Sequence, residues 1–183
     1  MMKKRLTSLA LSAMMVLSMV PATAFAAKDA GTPPTYNSAT GCYEISTPAQ
    51  LLYLAGKWKD GAPRDGHYVL TADIDMIGVK GFKPIASKKD QGFTGTFDGQ
   101  FHSIKGLRVE YEKKYAGLFG YVGNQDDQAY IKNVALLDCY VTGQQNVGAL
   151  AGVNYGTITD CVVTGEVKCL DLSNSHTAGG ICG

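Results

Sequence analysis

A five-residue phrase recurs three times in the chain. It reads Ala116-Gly117-Leu118-Phe119-Gly120, then Gly148-Ala149-Leu150-Ala151-Gly152, then Gly179-Gly180-Ile181-Cys182-Gly183. The third position is Leu or Ile, the fifth is always Gly, and the copies lie 32 and 31 residues apart. Self-similarity at such a period is the mark of stacked units, none of which buries its apolar face alone. Leu118, Leu150 and Ile181 are therefore expected to form one inward stack.

Residues before the repeats support β-structure. From His67 the pattern has period two, with Leu70, Ala72, Ile74 and Met76 on one face and Val69, Thr71, Asp73 and Asp75 on the other. Phe93 to Phe97 alternates as well, Asp98-Gly99 is a turn signal, and Ile104, Leu107 and Val109 continue the inward positions. Many short strands separated by Gly or Asn fit a sandwich, a barrel or a solenoid. The long recurrence selects the solenoid. With 22 Gly and only 6 Pro, the composition suits turn-rich β-structure.

A second match complicates the register. Asp138-Cys139-Tyr140-Val141-Thr142-Gly143 recurs as Asp160-Cys161-Val162-Val163-Thr164-Gly165, 22 residues later. The polar run Asn124 to Gln128 reads as a loop insertion that absorbs part of the difference. If the two segments are equivalent, Cys139 and Cys161 lie about 4.8 Å apart on adjacent coils, within disulfide reach. The competing reading is a stack of small buried side chains.

The N-terminal part holds other elements. Lys3, Lys4 and Arg5 precede an apolar stretch, Leu6 to Val20, and the small-x-small site Ala24-Phe25-Ala26. This is the layout of a secretory signal peptide, residues 1–26, cleaved after Ala26. Removing its three cations from 17 leaves 14 against 16 Asp plus Glu, a net of −2. No basic stripe survives, which excludes an electrostatic footprint for nucleic acid or an anionic membrane. Nor is membrane insertion expected after signal cleavage. Residues 27–41 read as a disordered polar leader. A strand over Cys42–Ile45 follows, and then a helix. Thr47 is its N-cap, Pro48 its first position and Gln50 completes a capping box. Leu51, Ala55 and Trp58, flanked by Leu52 and Leu54, make its apolar face, and Gly61 and Pro63 end it. It is expected to cap the N-terminal end of the array, residues 42–183.

Candidate chemistry is sparse. Asp73 and Asp75 share a strand face about 7 Å apart, a spacing that suits a carboxylate pair for glycoside cleavage or two oxygen ligands for calcium. The alternative is that both are solvated or cap the turn after the strand through backbone N–H groups. Asp98 and His102 flank a turn and suggest an acid–base pair, against the simpler reading of a turn former and a surface histidine. No Gly-x-Ser-x-Gly elbow and no phosphate loop is present. The five cysteines show no zinc spacing. The ten tyrosines follow no single period from which a sugar-stacking stripe can be assembled. The sequence thus offers no catalytic, cofactor-binding or metal-binding set, and a non-catalytic role is expected.

Several phrases resemble a known family. "GLFG…IKNVALLD", "GALAGVNYGTITDCVVTGEV" and "AGGICG" resemble the GLUG repeat of secreted bacterial surface proteins. "YEISTPAQLLYLA", "YVLTADIDM", "FKPIAS" and "FTGTFDGQFHSIKGL" resemble the segment that often precedes it. The resemblance covers Cys42 to Gly183. It implies an all-β, right-handed parallel β-helix with a short N-terminal capping helix. It further implies an adhesin-like or spacer module at the cell surface, with a host protein or glycan as partner. Such repeats also occur in the N-terminal regions of immunoglobulin A metallopeptidases, which use a His-Glu-x-x-His zinc helix. His67, His102 and His176 stand alone here, so the resemblance places any peptidase or carbohydrate-active part beyond Gly183. The array stops inside a repeat, so a truncated C-terminus, with more repeats or a further domain to follow, is the expectation.

Overall fold

The computed structural model describes residues 31–56, 62–171 and 177–183. The expected signal peptide, Trp58, Gly61 and His176 lie outside the described residues. The described residues form an all-β parallel solenoid carrying one short α-helix. In order, its elements are β1 (Thr35–Asn37), β2 (Cys42–Ile45), α1 (Pro48–Gly56), β3 (His67–Leu70), β4 (Ile74–Asp75), β5 (Thr96–Asp98), β6 (Ser103–Lys105) and β7 (Arg108–Ala116). Then come β8 (Phe119–Val122), β9 (Tyr130–Lys132), β10 (Ala135–Gly148), β11 (Ala151–Asn154), β12 (Thr157–Thr159), β13 (Val162–Cys169) and β14 (Ala178–Gly179).

These strands make three sheets. The first runs β1-β2-β3-β5-β9-β12, the second runs β4-β6-β10-β13 with β7 and β14 also on β10, and the third pairs β8 with β11. Every pairing is parallel except that of β1 with β2.

Register in a parallel stack brings like side chains into columns. In the first sheet Tyr43, Tyr68, Phe97, Ile131 and Ile158 are successive partners. In the second, Ile74, Ile104, Leu136 and Val163 form one column and Phe82, Val109, Val141 and Val167 another. In the third, Ile85, Phe119, Ala151 and Cys182 align. The inner members are buried and join one continuous core. Each large apolar side chain so buried contributes about 1.5–3 kcal/mol. Phe119 also packs edge-on against Phe97, with centroids 5.4 Å apart, and tilted against Phe93 at 5.2 Å.

The recurring phrase is the corner between the second and third sheets. β7 ends at Ala116 and β8 begins at Phe119; β10 ends at Gly148 and β11 begins at Ala151. Leu118 and Leu150 point inward there and are fully buried; Leu150 N–H donates to Ile181 O at 3.0 Å, but Ile181, expected as the third inward member, is 42% exposed in the last coil. The fifth-position glycine is required by close approach. A Cβ on Gly120 would stand 2.5 Å from Ser87 Cα, and one on Gly152 would stand 2.7 Å from Tyr115 Cα.

The capping box of α1 forms as the sequence predicts. Thr47 Oγ1 accepts the Gln50 N–H (3.3 Å), and Gln50 Oε1 accepts those of Thr47 (3.2 Å) and Ser46 (2.8 Å). Leu51 and Leu54 are the fully buried pair of this helix, with Leu52 and Ala55 packed at the core's edge. The helix stands at the N-terminal end of the array, as expected, held to the leader by Thr32 N–H to Ala49 O (3.2 Å) and Gln50 Nε2 to Thr35 Oγ1 (3.5 Å).

One expectation is corrected by the described part of that leader. Residues 35–37 are not disordered but form β1, the antiparallel edge of the first sheet. The Tyr36 ring lies 4.9 Å from that of Tyr43, and Asn37 Nδ2 donates to Glu44 Oε1 at 2.7 Å. Two specific side-chain contacts hold a stretch whose composition alone reads as loose.

Candidate functional site

The carboxylates on β4 and its flank face outward, as their spacing predicts, but both are engaged. Asp73 Oδ1 accepts the Ser103 N–H at 2.7 Å and the Ser103 hydroxyl at 3.1 Å, with His102 Nδ1 at 3.5 Å. The Ser103 N–H, its hydroxyl and the nearby His102 hold the Asp73 carboxyl below its ordinary range. Asp75 Oδ1 accepts the Ile77 N–H at 2.9 Å. Asp75 therefore caps the turn after the strand, while Asp73 ties its coil to the next one through Ser103. Asp73, His102 and Ser103 together do not make a nucleophilic triad. The Ser103 hydroxyl donates to Asp73, leaving the imidazole without the proton it would need to take.

Asp98 and His102 are not brought together as a pair. Asp98 Oδ1 accepts from the Gln100 N–H and from Asn133 Nδ2, each at 2.9 Å, and Oδ2 lies 3.2 Å from Lys132 Nζ. Partial burial pushes its carboxyl up, but Asn133, the Gln100 amide and Lys132 outweigh that and leave it below the ordinary range.

The two cysteines singled out by sequence occupy different columns. Cys139 is buried and faces Gly165 across the β10–β13 pair, after a register shift between Leu136 and Cys139. Cys161 directly precedes Val162, whose partner is Ala135. All five cysteines are free thiols. The 22-residue match has a local cause. Asp138 and Asp160 both take left-handed backbone, each with φ 52°. Asp tolerates that conformation at turns, so two different corners carry the same Asp-Cys signature. Cys182 does take the slot of Phe119 and Ala151.

The structure assembles what periodicity could not, a tyrosine cluster beside the third sheet. Tyr115 and Tyr121 have ring centroids 4.5 Å apart. Tyr121 is buried, and burial together with a hydrogen bond to Tyr115 pushes its phenol well above the ordinary value. Tyr155 lies beside them and is 49% exposed. Its N–H donates to Val122 O at 2.7 Å, which fixes the corner that carries it.

Next to this cluster stands the Asn124–Gln128 loop. Asn124 Oδ1 accepts the N–H groups of Asp126 (2.8 Å) and Asp127 (2.7 Å), and its Nδ2 donates to Asp127 Oδ2 (3.1 Å). The loop separates two clefts. One, of about 510 Å³, is lined by Tyr121, Tyr155, Lys89, Asp90, Gln125 and Asp126 among others; the other, of about 520 Å³, by Arg64, Asp65, Thr94, Asp126, Asp127 and Gln128. Both volumes lie within the range of small-molecule sites, about 300–1,000 Å³. Among the described residues, no three His, Cys, Asp or Glu side chains stand where they could share a metal ion. No described helix is long and apolar enough to cross a membrane.

No family model matches the chain. It is 32% identical over 151 residues to halomucin of Haloquadratum walsbyi, which covers 77% of this chain and 2% of that protein. It is also 32% identical over 130 residues to a protein of Evansella cellulosilytica provisionally named a Gly-rich membrane protein, covering 66% of this chain and 14% of the other. The chain therefore spans a small fraction of the length of the curated relatives it matches. In fold it is similar to a crystal structure from Bacteroides ovatus, provisionally named an immunoglobulin A1 protease. That match has a TM-score of 0.59 and 22% identity, over 74% of this chain and 41% of the other.

Proposed function

We propose that this chain is a non-catalytic β-helical module of a secreted or cell-surface protein, adhesin-like or spacing in role, of the GLUG-repeat kind. The observation that carries the reading is the set of inward columns. They take up most of the large apolar residues of the inner coils and leave long, rigid lateral faces as the surface available for recognition. On those faces charged groups pair with neighbours, as in Lys132–Asp98 (3.2 Å) and Arg108–Glu110 (2.7 Å), while Arg108 also lies over the Tyr140 ring at 4.3 Å. Similarity to halomucin and to a protein named for a membrane supports an extracellular setting. A second reading, an accessory region of a secreted enzyme, draws on the fold shared with the Bacteroides ovatus chain.

The test is surface labelling. Intact cells producing the full-length protein are treated with a membrane-impermeant biotin reagent. Labelling of the protein before lysis is the expected result. Labelling only after lysis overturns the reading.

A further inference from the structure

We propose that the tyrosine cleft and its neighbour across the Asn124–Gln128 loop bind a neutral oligosaccharide, with Tyr155 as the stacking platform. The proposal deepens the recognition role above and rests on it.

Three observations converge. First, the half-exposed Tyr155 and the buried Tyr121 both line the cleft. An aromatic face beside a wet rim suits a ligand with an apolar C–H face and polar edges. A pyranose ring has that form.

Second, the rim is supplied with hydrogen-bonding groups that the fold leaves uncommitted. Asn124 organises the loop through three hydrogen bonds. The side chains of Asp90, Gln125 and Asp126 take no part in that network, and each lines the cleft. Carboxylates accept only and an amide both donates and accepts, so the set matches vicinal hydroxyls.

Third, the charge balance selects among saccharides. The two clefts together present Lys89 and Arg64 against Asp65, Asp90, Asp126 and Asp127. This excess of carboxylate disfavours uronates and sialylated glycans by like-charge repulsion. Because Asp126 lines both clefts, a ligand of several sugar units can cross the loop and engage both.

The experiment uses the full-length protein and isothermal titration with cellopentaose, chitopentaose, mannopentaose and a tri-galacturonate. Binding of at least one neutral oligosaccharide is expected. It should weaken at least about tenfold, equivalent to 1.4 kcal/mol, in Tyr155→Ala and in Asp126→Ala. Phe101→Ala, which removes another exposed aromatic ring, should bind as the parent does. Circular dichroism verifies that each variant keeps the parent fold. Absence of binding by every neutral probe, tighter binding of the galacturonate, or unchanged affinity in Tyr155→Ala each overturns the proposal. Surface labelling is read separately, so a failure here leaves the cell-surface reading standing, and a protein sealed inside the cell can still bind sugar.

Discussion

The Asp73 carboxylate reaches across to the next coil and accepts both the N–H and the hydroxyl of Ser103, at 2.7 and 3.1 Å. A residue that reads as half of an acid pair is instead a connection between coils. Its charge matters to folding rather than to bond cleavage.

That role has a pH signature. Asp73 and Asp98 both titrate below the ordinary carboxylate range when folded. Unfolded aspartates protonate near pH ~3.9. The stabilisation from these two groups is therefore complete above that pH and is lost as pH falls through their folded values. Urea midpoints measured from neutral pH to about pH 2.5 should show the loss as a falling acid limb. Asp73→Asn keeps an oxygen for Ser103 but cannot titrate, so its limb should be shallower than the parent's. Superimposable limbs would count against the assignment.

The helix cap offers a local test. Thr47→Ala removes the hydroxyl that receives the Gln50 N–H. The expected cost is about 1 kcal/mol, within a range of roughly 0.5–2, read from the denaturation midpoint at constant slope. A change within experimental error would mean that α1 is held by Leu51 and Leu54 alone.

Two glycines of the recurring phrase should behave oppositely. A Cβ at position 120 meets the Ser87 backbone, whereas one at position 180 meets nothing within 4 Å. Gly120→Ala should cost about 1–3 kcal/mol by overpacking. That lowers Tm by roughly 2–4 °C per kcal/mol for a chain of this size. Gly180→Ala should leave Tm unchanged. Equal effects at both sites would remove the steric explanation of the phrase.

Thiol chemistry separates the two readings of the cysteines. Cys139 is buried, and that burial pushes its thiol above the ordinary pKa. Iodoacetamide should therefore modify it only in denaturant, and a peptide map of unreduced protein should show no Cys139–Cys161 link. A linked peptide would require a register other than the one in which Cys139 faces Gly165.

The sequence made the architecture readable where physics is local and periodic. Thr47, Pro48 and Gln50 announce a helix start within one turn, and Ile74 or Ile104 marks an inward face by alternation. Coil register was harder. The spacing between partners varies from pair to pair, as Tyr43↔Tyr68 and Phe97↔Ile131 show, because loops such as Asn124–Gln128 lengthen one side of a coil only. The Asp-Cys repetition misled for a related reason, since two unlike corners demand the same left-handed residue. The tyrosine cluster was invisible because Tyr115, Tyr121 and Tyr155 come from different strands and corners. Their proximity exists only once the coils are stacked.

The two ends of the array differ, and the difference has a temporal meaning. At the N-terminal end α1 and the antiparallel β1 close the stack. In the last coil Ile181 is 42% exposed, although Leu150, whose N–H its carbonyl accepts, is fully buried one coil further in. A ribosome releases the closed end first. Once that seed has formed, each new coil finds a finished row of amides and carbonyls waiting as its template, so the solenoid can extend coil by coil as the chain emerges.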